Sequence, residues 1–348
     1  MNNILFFKPS RIAGAKRILD STLVRENYKQ GVVTTLILDT NVLINIEELF
    51  KNRSRGATPG NAGIERILSL TMDSPPGSIC ISPGLGFQEM PPIRAAYSTR
   101  CFEAFCSEHA FLDTSDSIRP DYQGKASDYS FFDIDENAQM LLTIPFCSLV
   151  YLQVVDRLQH LRPMDKLKRY LSILEEELDI LSGPVIEIAR YCFAPHAAAN
   201  KKTIALRKVL RRNFLKIDNR LPANSTELLR VAFNGACDLT LLNSANVLDS
   251  FGLNGIPQDC WVVTGDRKLF QFSEIFHHLP LRGEAGKFFQ IANLEEHRGD
   301  PYWEESMKIL SSLFSMRASR HFERVRDPEK IISMAKRAAT VAAELHVN

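Results

Sequence analysis

Carboxylates stand at the ends of apolar runs at four separate places in this chain. The clearest run, Val33 to Leu38, is β-branched and aliphatic, carries no charge and ends at Asp39. Such a run predicts a strand that is buried on both faces. Open α/β sheets place their ligands at the carboxyl ends of such strands, which makes Asp39 a candidate site residue. Alternatively, Asp39 caps a helix that begins with the next apolar run, Val42 to Ile44, because Asp is a favoured N-cap residue.

Three further acids occur in comparable positions. Glu89 follows a predicted short strand and a turn at Pro83-Gly84, in the sequence SICISPGLGFQE. Asp238 stands at the head of an Ala/Leu-rich segment that predicts a helix. Asp266 follows a predicted strand in the sequence WVVTGD. Each of these apolar elements therefore delivers one acid at one of its ends.

In this order, the four acids resemble the pattern of the PIN-domain nuclease family. That pattern is a strand ending in D-T-N or D-x-S, a Glu after a strand and turn, an Asp that opens a helix, and a strand ending in T-x-D. Here it reads Asp39-Thr40-Asn41, Glu89, Asp238 and Thr264-Gly265-Asp266, and the resemblance covers roughly a third of the chain. It implies an α/β fold: a Rossmann-like PIN core with a central parallel sheet flanked by helices.

The resemblance also implies a metal-dependent phosphodiester hydrolase. Mg²⁺ and Mn²⁺ prefer oxygen ligands and retain several waters, and two such ions about 3.5–4 Å apart can stabilise the attacking and leaving oxygens. We assign Asp39 as the bridging ligand, with Glu89 and Asp238 as ligands on one side. Asp266 is then a ligand or a group that positions water.

Polar neighbours of these acids are candidates to support the site. Asn41 and Thr264 could orient the carboxylates, and the resemblance gives Thr264 a role in binding phosphate or water. Asn234 lies one turn before Asp238 and could face the same site. The alternative for Asn234 is a helix N-cap.

Nucleic-acid binding is expected from local basic residues, because a net charge of +1 describes a chain that is not globally polycationic. Residues 200–216, NKKTIALRKVLRRNFLK, carry seven basic residues and no acid. On a helix they give a basic face backed by an apolar face, although a solvated surface helix is the alternative. Arg267 and Lys268 beside Asp266 either contact phosphates or are ordinary exposed charges. The candidates for nucleic-acid binding are Lys201, Lys202, Arg207, Lys208, Arg211, Arg212, Lys216, Arg267 and Lys268.

The spacing of the acids suggests how the chain is organised. Glu89 and Asp238 lie far apart in sequence, whereas Asp238 and Asp266 are close, which favours a helical subdomain inserted into the nuclease fold. We predict an N-terminal arm over 1–31, the first part of a PIN-like core over 32–92, the inserted helical subdomain over 93–232, the second part of the core over 233–296, and a helical C-terminal extension over 297–348.

Several elements outside the acidic motifs are predicted from periodicity. The leucines of Met164 to Leu181 recur at alternating four and three positions, which predicts an amphipathic helix. Ser10 to Tyr28 could form another, and Phe288 to Ala292 predicts a strand. The uncharged stretch from Asn137 to Val155 contains polar residues, so we predict core helices broken at Pro145 and not a membrane span.

Composition indicates a cytoplasmic globular protein. Hydrophobic residues make up 45% and charged residues 24% of the chain, which is typical of soluble domains. The seven cysteines include no C-x-x-C pair, which favours reduced thiols. The N-terminus has no basic segment ahead of an apolar stretch, so no secretory signal is predicted.

The sequence therefore predicts a metal-dependent endoribonuclease that cleaves with Asp39, Glu89, Asp238 and Asp266. RNA is chosen over DNA because it is the commoner substrate in the family that the chain resembles. A DNA-cleaving or defence-type nuclease of the same fold stays open, as does a catalytically silent PIN-like scaffold that binds protein or RNA. An inhibitory, antitoxin-like protein partner and a homo-oligomer also stay open, and no membrane partner is expected.

Overall fold

The chain forms two compact units. The computed structural model describes residues 4–9, 18–109, 129–195, 201–217, 219–273, 276–280, 288–292, 297, 299–318 and 328–345. One unit, here the sheet unit, comprises Met1–Tyr129 and Thr240–Ile291, and the other, the helical unit, comprises Ser130–Leu239 and Ala292–Asn348. The domain limits predicted above lie at other positions and stay predictions.

The sheet unit contains a four-stranded open sheet, which confirms the α/β class. Its strands are β1 (Leu5–Phe7), β2 (Val33–Leu38), β3 (Ile79–Ser82) and β4 (Gln258–Thr264), in the order β1-β4-β2-β3. The central strand β2 pairs in parallel with β3 and β4, whereas β1 is antiparallel to β4. Nearly every residue of β2 and β4 is buried, as expected for strands that are covered on both faces.

Seven helices belong wholly to this unit within the described residues. They are α1 (Ser21–Lys29), α2 (Thr40–Lys51), α3 (Pro59–Ala62), α4 (Glu65–Met72), α5 (Gly84–Gln88), α6 (Pro92–His109) and α12 (Arg267–Ser273). α2, α4, α5 and α6 share one apolar core with the sheet. A separate two-stranded sheet is formed by β5 (Phe276–Pro280) and β6 (Phe288–Ala292), and β6 confirms the strand predicted there.

The helical unit is assembled around one apolar helix, α7 (Glu136–Asp156). Packed on α7 are α8 (Pro163–Ile173), α9 (Gly183–Phe193) and α14 (Pro328–Glu344). The unit also contains α10 (Lys201–Phe214), α13 (Pro301–Ala318) and the first part of α11 (Ser225–Phe251), which continues into the sheet unit. The predicted C-terminal helices are confirmed over the described residues.

α7 runs through Pro145 without interruption, so the prediction of a break there was wrong. Pro145 cannot donate a hydrogen bond to the carbonyl of Leu141, and Leu141 is an exposed residue of α7. α7 is long and apolar enough to cross a membrane by length and composition, and 67% of its most apolar window is buried inside the protein.

The helix predicted over Met164 to Leu181 is shorter than expected. Its leucine face is confirmed, since Leu167, Leu171, Leu174 and Leu178 are buried. The backbone changes to a π-helical turn over Leu174–Leu178 and ends at Asp179, whose φ of 50° is left-handed. Leucine periodicity shows the apolar face of a helix but not the residue at which its hydrogen bonding changes.

The N-terminal arm contributes a strand that periodicity did not predict. β1 has three residues, too few for a hydrophobic repeat to be recognised. The predicted helix of the arm lies partly outside the described residues, and α1 covers its second half. β1 forms the antiparallel edge of the sheet beside β4.

Lys8 links this arm to the sheet through two ion pairs. Its Nζ donates to Asp259 Oδ1 at 2.5 Å and to Asp249 Oδ1 at 2.6 Å, and all three side chains are largely buried. Asp259 also accepts hydrogen bonds from Asn27 and Trp261. Burial raises the pKa of Asp259, but attraction to Lys8 and these hydrogen bonds outweigh burial and leave the pKa lowered.

Replacing Lys8 should destabilise the sheet unit. Lys8→Met leaves Asp249 and Asp259 as carboxylates without their cation, and breaking a buried ion pair on one side typically lowers the free energy of unfolding by about 3 kcal/mol. Urea unfolding of wild type and Lys8→Met measures this loss. Lys29→Met, at an exposed position of α1, is the control, and equal losses in the two variants would contradict the expected role of Lys8.

Candidate active site at the ends of the parallel strands

Asp39 follows the last residue of β2 and is buried with 5% of its surface exposed. It occupies the N-cap position of α2 with extended backbone angles, but its side chain makes no capping hydrogen bond. Its backbone N–H donates to the carbonyl of Val263 in β4 at 3.0 Å. The helix-capping alternative is therefore correct for the position of Asp39 but does not account for its carboxylate.

Two side chains hold the carboxylate of Asp39. Thr264 Oγ1 and Asn41 Nδ2 both donate to Asp39 Oδ2. Asn41 Oδ1 accepts from the backbone N–H of Gly265, and Thr264 Oγ1 accepts from the N–H of Asp266 at 2.8 Å. These bonds join the end of β2 to the end of β4. Asn41 and Thr264 thus contact Asp39 directly, and their part in catalysis stays a prediction.

Glu89 reaches the same end of the sheet from β3. The predicted turn at Pro83-Gly84 is the start of a short helix, α5, and Glu89 follows its last residue. Thr40 Oγ1 lies 2.5 Å from Glu89 Oε2 and 2.9 Å from the carbonyl oxygen of Gly86. A hydroxyl has one proton, so Thr40 can donate to only one of these two oxygens. Both contacts are hydrogen bonds when Glu89 is protonated, because Glu89 then donates to Thr40 and Thr40 donates to the carbonyl of Gly86.

Gly86 allows α5 to approach the end of β2. A Cβ at this position would lie 2.7 Å from Leu43 Cδ1 and 2.9 Å from the carbonyl oxygen of Leu38. Because a backbone atom cannot swing aside as a side chain can, any larger residue would displace α5. The contact between Thr40 and Glu89 therefore depends on this glycine.

The three acids of the sheet unit interact electrostatically. Burial raises the pKa of Asp39 above its usual value; the bonds from Thr264 and Asn41 oppose this rise, and repulsion from Asp266 adds to it. Burial also raises the pKa of Glu89, to about 7, with further contributions from the charges of Asp39 and Asp266. Asp266 Oδ1 accepts from the backbone N–H of Lys268 at 2.7 Å. The structure thus brings Asp39, Glu89 and Asp266 together.

Asp238 lies in the helical unit, and its position in α11 differs from the prediction. α11 begins at Ser225, so neither Asp238 nor Asn234 stands at a helix head, and the N-cap alternative for Asn234 was wrong. Asp238 Oδ2 accepts from Asn213 Nδ2 at 3.2 Å, and Asn234 is exposed. The participation of both residues in the site stays a prediction.

A packing requirement explains the glycine inside α11. The pair Asn234-Gly235 is typical of a turn but lies within the helix. A Cβ on Gly235 would lie 2.8 Å from Leu149 Cδ1 and 2.9 Å from Phe214 Cδ1. The glycine therefore permits close packing of α11 on its neighbours, which the local sequence does not reveal.

The donor set of the sheet-unit acids suits a hard divalent cation. Carboxylate oxygens are what Mg²⁺ and Mn²⁺ prefer, and a bound cation would lower the raised pKa values of Asp39 and Glu89. Within the described residues, no group of three or more His, Cys, Asp or Glu side chains is arranged to hold one metal ion directly. Mg²⁺ usually binds through one or two carboxylates with waters completing its shell, and the site is compatible with that mode.

The basic residues predicted to bind nucleic acid differ in how far they are exposed. Arg211 donates to both carboxylate oxygens of Asp156 at 2.8 Å and to the carbonyl of Cys192, which commits it to the packing of the helical unit. Arg207 is partly buried, and burial lowers its pKa. The exposed members are Lys201, Lys202, Lys208, Arg212 and Arg267, whereas Lys216 and Lys268 are half-buried.

Sequence reasoning missed two residues that position the site, Thr40 and Gly86. Thr40 lies inside the D-T-N motif, so the motif itself contained the signal. Gly86 had no such signal, because the approach of α5 to β2 is a tertiary contact.

Glu89→Gln should stabilise the protein in the presence of a chelator above pH 7. The folded-state pKa of Glu89, about 7, lies above the ordinary value of 4.5 for a glutamate. The folded protein therefore retains a proton that the unfolded chain releases, and wild-type stability falls as pH rises from 4.5 through 7. The shift corresponds to at most about 3 kcal/mol.

Urea unfolding across this pH range tests the expectation. Glu89→Gln should remove the part of the fall that Glu89 contributes and leave the part that Asp39 contributes, while the exposed Glu103→Gln on α6 should leave the whole fall unchanged. A fall of the same size in Glu89→Gln and wild type would show that Glu89 is not the titrating group.

Gly86→Ala should destabilise the sheet unit by about 1–3 kcal/mol, because it overpacks a tight contact. The matched control is Gly60→Ala in α3, whose Cβ would meet Glu65 Oε2 at 3.2 Å, at the end of a flexible side chain. Thermal unfolding compares the two variants, and equal melting temperatures would argue against the close approach.

Comparisons with known proteins assign this site to no family. No protein-family model matches the chain, and neither a curated protein nor a solved structure matches it. The likeness to PIN-domain nucleases therefore rests on the residues and the order of the four acidic motifs.

Proposed function

We propose that this protein is a metal-dependent endoribonuclease with a PIN-like core. The observation that carries the proposal is the meeting of Asp39, Glu89 and Asp266 at the carboxyl ends of three parallel strands. Ligand sites of open α/β sheets occupy this edge. Buried carboxylates with raised pKa values are also typical of functional sites.

A divalent Mg²⁺ or Mn²⁺ ion would supply positive charge for the attacking and leaving oxygens of a phosphodiester. Thr264 and Asn41 fix Asp39 Oδ2, so that the carboxylate is oriented before substrate binds. Glu89, with a pKa near neutrality, can hold or release a proton at its contact with Thr40. Asp266 is less buried than Asp39 and is the acid best placed to orient a water molecule.

The exposed basic residues are proposed to bind the phosphate backbone. Arg267 is the first residue of α12 and directly follows Asp266. On α10, Lys201, Lys208 and Arg212 are exposed at helical spacing. Such contacts position a nucleic acid without reading its sequence, so we expect their loss to weaken binding and to reduce its salt dependence.

Two observations favour a second candidate, a catalytically silent PIN-like scaffold. The described acids form no group arranged to hold a metal ion directly, and Asp238 belongs to the helical unit. A scaffold, however, gains nothing from buried carboxylates with raised pKa values, because such groups destabilise a fold at neutral pH.

Cleavage of labelled polymers tests the proposal. Wild type should cut single-stranded RNA with Mn²⁺ or Mg²⁺ but not with a chelator, and Asp39→Asn should lower the rate at least about 100-fold because a metal ligand is lost. Folded RNA and DNA identify the preferred polymer. Asp73→Asn, an exposed residue that follows α4, is the control.

The outcomes separate the candidate functions. Metal-dependent cleavage of DNA alone would replace the ribonuclease by a DNA-cleaving enzyme of the same fold. Binding of Mn²⁺ that Asp39→Asn abolishes, without any cleavage, would indicate a metal site held inactive. If the protein neither binds Mn²⁺ nor cleaves a polymer, the scaffold is the remaining candidate.

Asp238→Asn tests the fourth acid separately. If Asp238 is a ligand, the variant should lose metal-dependent cleavage as Asp39→Asn does while unfolding at the wild-type temperature. Asn213→Ala removes the side chain that donates to Asp238 and should lower the rate by about 10- to 100-fold if that bond orients a ligand. Wild-type rates in both variants would restrict the site to the three acids of the sheet unit.

A further inference from the structure

The first half of α6 presents an exposed strip that its packing does not require. Ile93, Tyr97 and Arg100 follow one another at helical spacing, with Arg94 beside them, and we call these four residues the α6 strip. Ile93 is 76% and Tyr97 39% exposed. The opposite side of α6 packs into the apolar core through Ala95, Cys101, Phe102 and Phe105.

The charge of α6 is segregated along its length. Residues 92–102 contain Arg94 and Arg100 and no acid, whereas Glu103 and Glu108 belong to the second half. Glu108 is paired with Arg53 at 2.6 Å. The α6 strip therefore carries two cationic groups and an exposed aromatic ring, and two acids of α2, Glu47 and Glu48, lie near it.

The ring and the guanidinium groups are close together. Arg100 Cζ lies 6.0 Å from the centroid of Tyr97. Arg94 lies 3.5 Å from Glu47, but its side chain remains 48% exposed. Tyr97 therefore lies between two cationic groups along the helix, an arrangement that can stack a base and contact the flanking phosphates.

The α6 strip begins next to the proposed active site. Pro92, the first residue of α6, follows Glu89 by three positions. The contact between Arg94 and Glu47 places the strip beside α2, and Glu47 lies eight residues after Asp39, which is about 12 Å along a helix axis. A polymer bound on the strip would thus extend towards the acids.

We infer that the α6 strip binds single-stranded nucleic acid, with one base stacked on Tyr97 and phosphates contacted by Arg94 and Arg100. An unpaired strand fits because its base faces are free to stack, whereas those of a duplex are covered by neighbouring bases. Alternating cations and one aromatic ring complement a polyanion with planar bases. The inference deepens the proposed nuclease function and rests on it for the direction of the strand, but binding can be measured without cleavage.

Fluorescence anisotropy with a labelled short oligouridylate, in chelator so that no cleavage occurs, tests the inference. Tyr97→Ala should weaken binding roughly 5- to 100-fold, because stacking on one aromatic residue contributes that much, while Tyr97→Phe should remain within about 2-fold of wild type. Tyr28→Ala is the matched control, since Tyr28 is an exposed tyrosine on α1 of the same unit and should have no effect.

The arginines are tested through the salt dependence of the same binding. Arg100→Gln should reduce the slope of log affinity against log salt by about 0.7, the value for one phosphate contact on a single strand. A duplex of matched length should bind more weakly than the single strand and should not respond to Tyr97→Ala. Melting temperatures establish that each variant is folded.

Failure of the strip and failure of the nuclease proposal give different results. The inferred binding by the α6 strip would be overturned by any of three results, even if metal-dependent cleavage is observed. These are wild-type affinity in folded Tyr97→Ala, an equal loss of affinity in Tyr28→Ala, or no binding of the oligouridylate by wild type. If binding depends on Tyr97 but the protein cleaves no polymer with any metal, the inferred binding by the α6 strip would be supported and the proposed catalysis overturned.

Discussion

The burial of Asp39 and Glu89 beside a third carboxylate, Asp266, is the constraint around which the sheet unit is arranged. Burial, and after it repulsion from neighbouring acids, favours the protonated form and raises the pKa values of Asp39 and Glu89. The fold offsets part of this cost with hydrogen bonds from Thr264 and Asn41 to Asp39 and with the contact between Thr40 and Glu89. Thr40 and Asn41 follow β2 and Thr264 is the last residue of β4, so the strand ends and the acids are held by the same contacts.

Parallel pairing brings these segments together. β2 lies between β3 and β4, and parallel strands end at the same edge of a sheet. Asp39 directly follows β2 and Asp266 lies two residues after β4, so both lie at this edge. Glu89 follows α5, and this helix returns the chain from β3 to the same edge. α5 can lie close enough to the end of β2 only because residue 86 is glycine. One feature of topology and one small residue thus determine the geometry of the acidic cluster.

The sequence allowed the α/β class and the positions of Asp39, Glu89 and Asp266 to be predicted, because buried strands have a strong local pattern and the acids directly follow them or lie close by. It failed where tertiary contacts decide. Pro145 lies inside a continuous helix, Gly235 lies in a packed helix interior, and β1 is too short for any periodicity. For the same reason the D-T-N motif identified the region of the site but not the contact of Thr40 with α5.

The sheet unit also contains a buried acid that has no proposed catalytic role, Asp259, and a cation stabilises it. Asp259 is buried like Asp39, but Lys8 contacts it and its pKa is lowered. The charges that add to the raised pKa values of Asp39 and Glu89 are those of other acids. A lysine placed as Lys8 is would have stabilised the cluster. Buried acids left to repel one another destabilise the fold at neutral pH, and a positively charged ligand is the simplest physical reason to keep them.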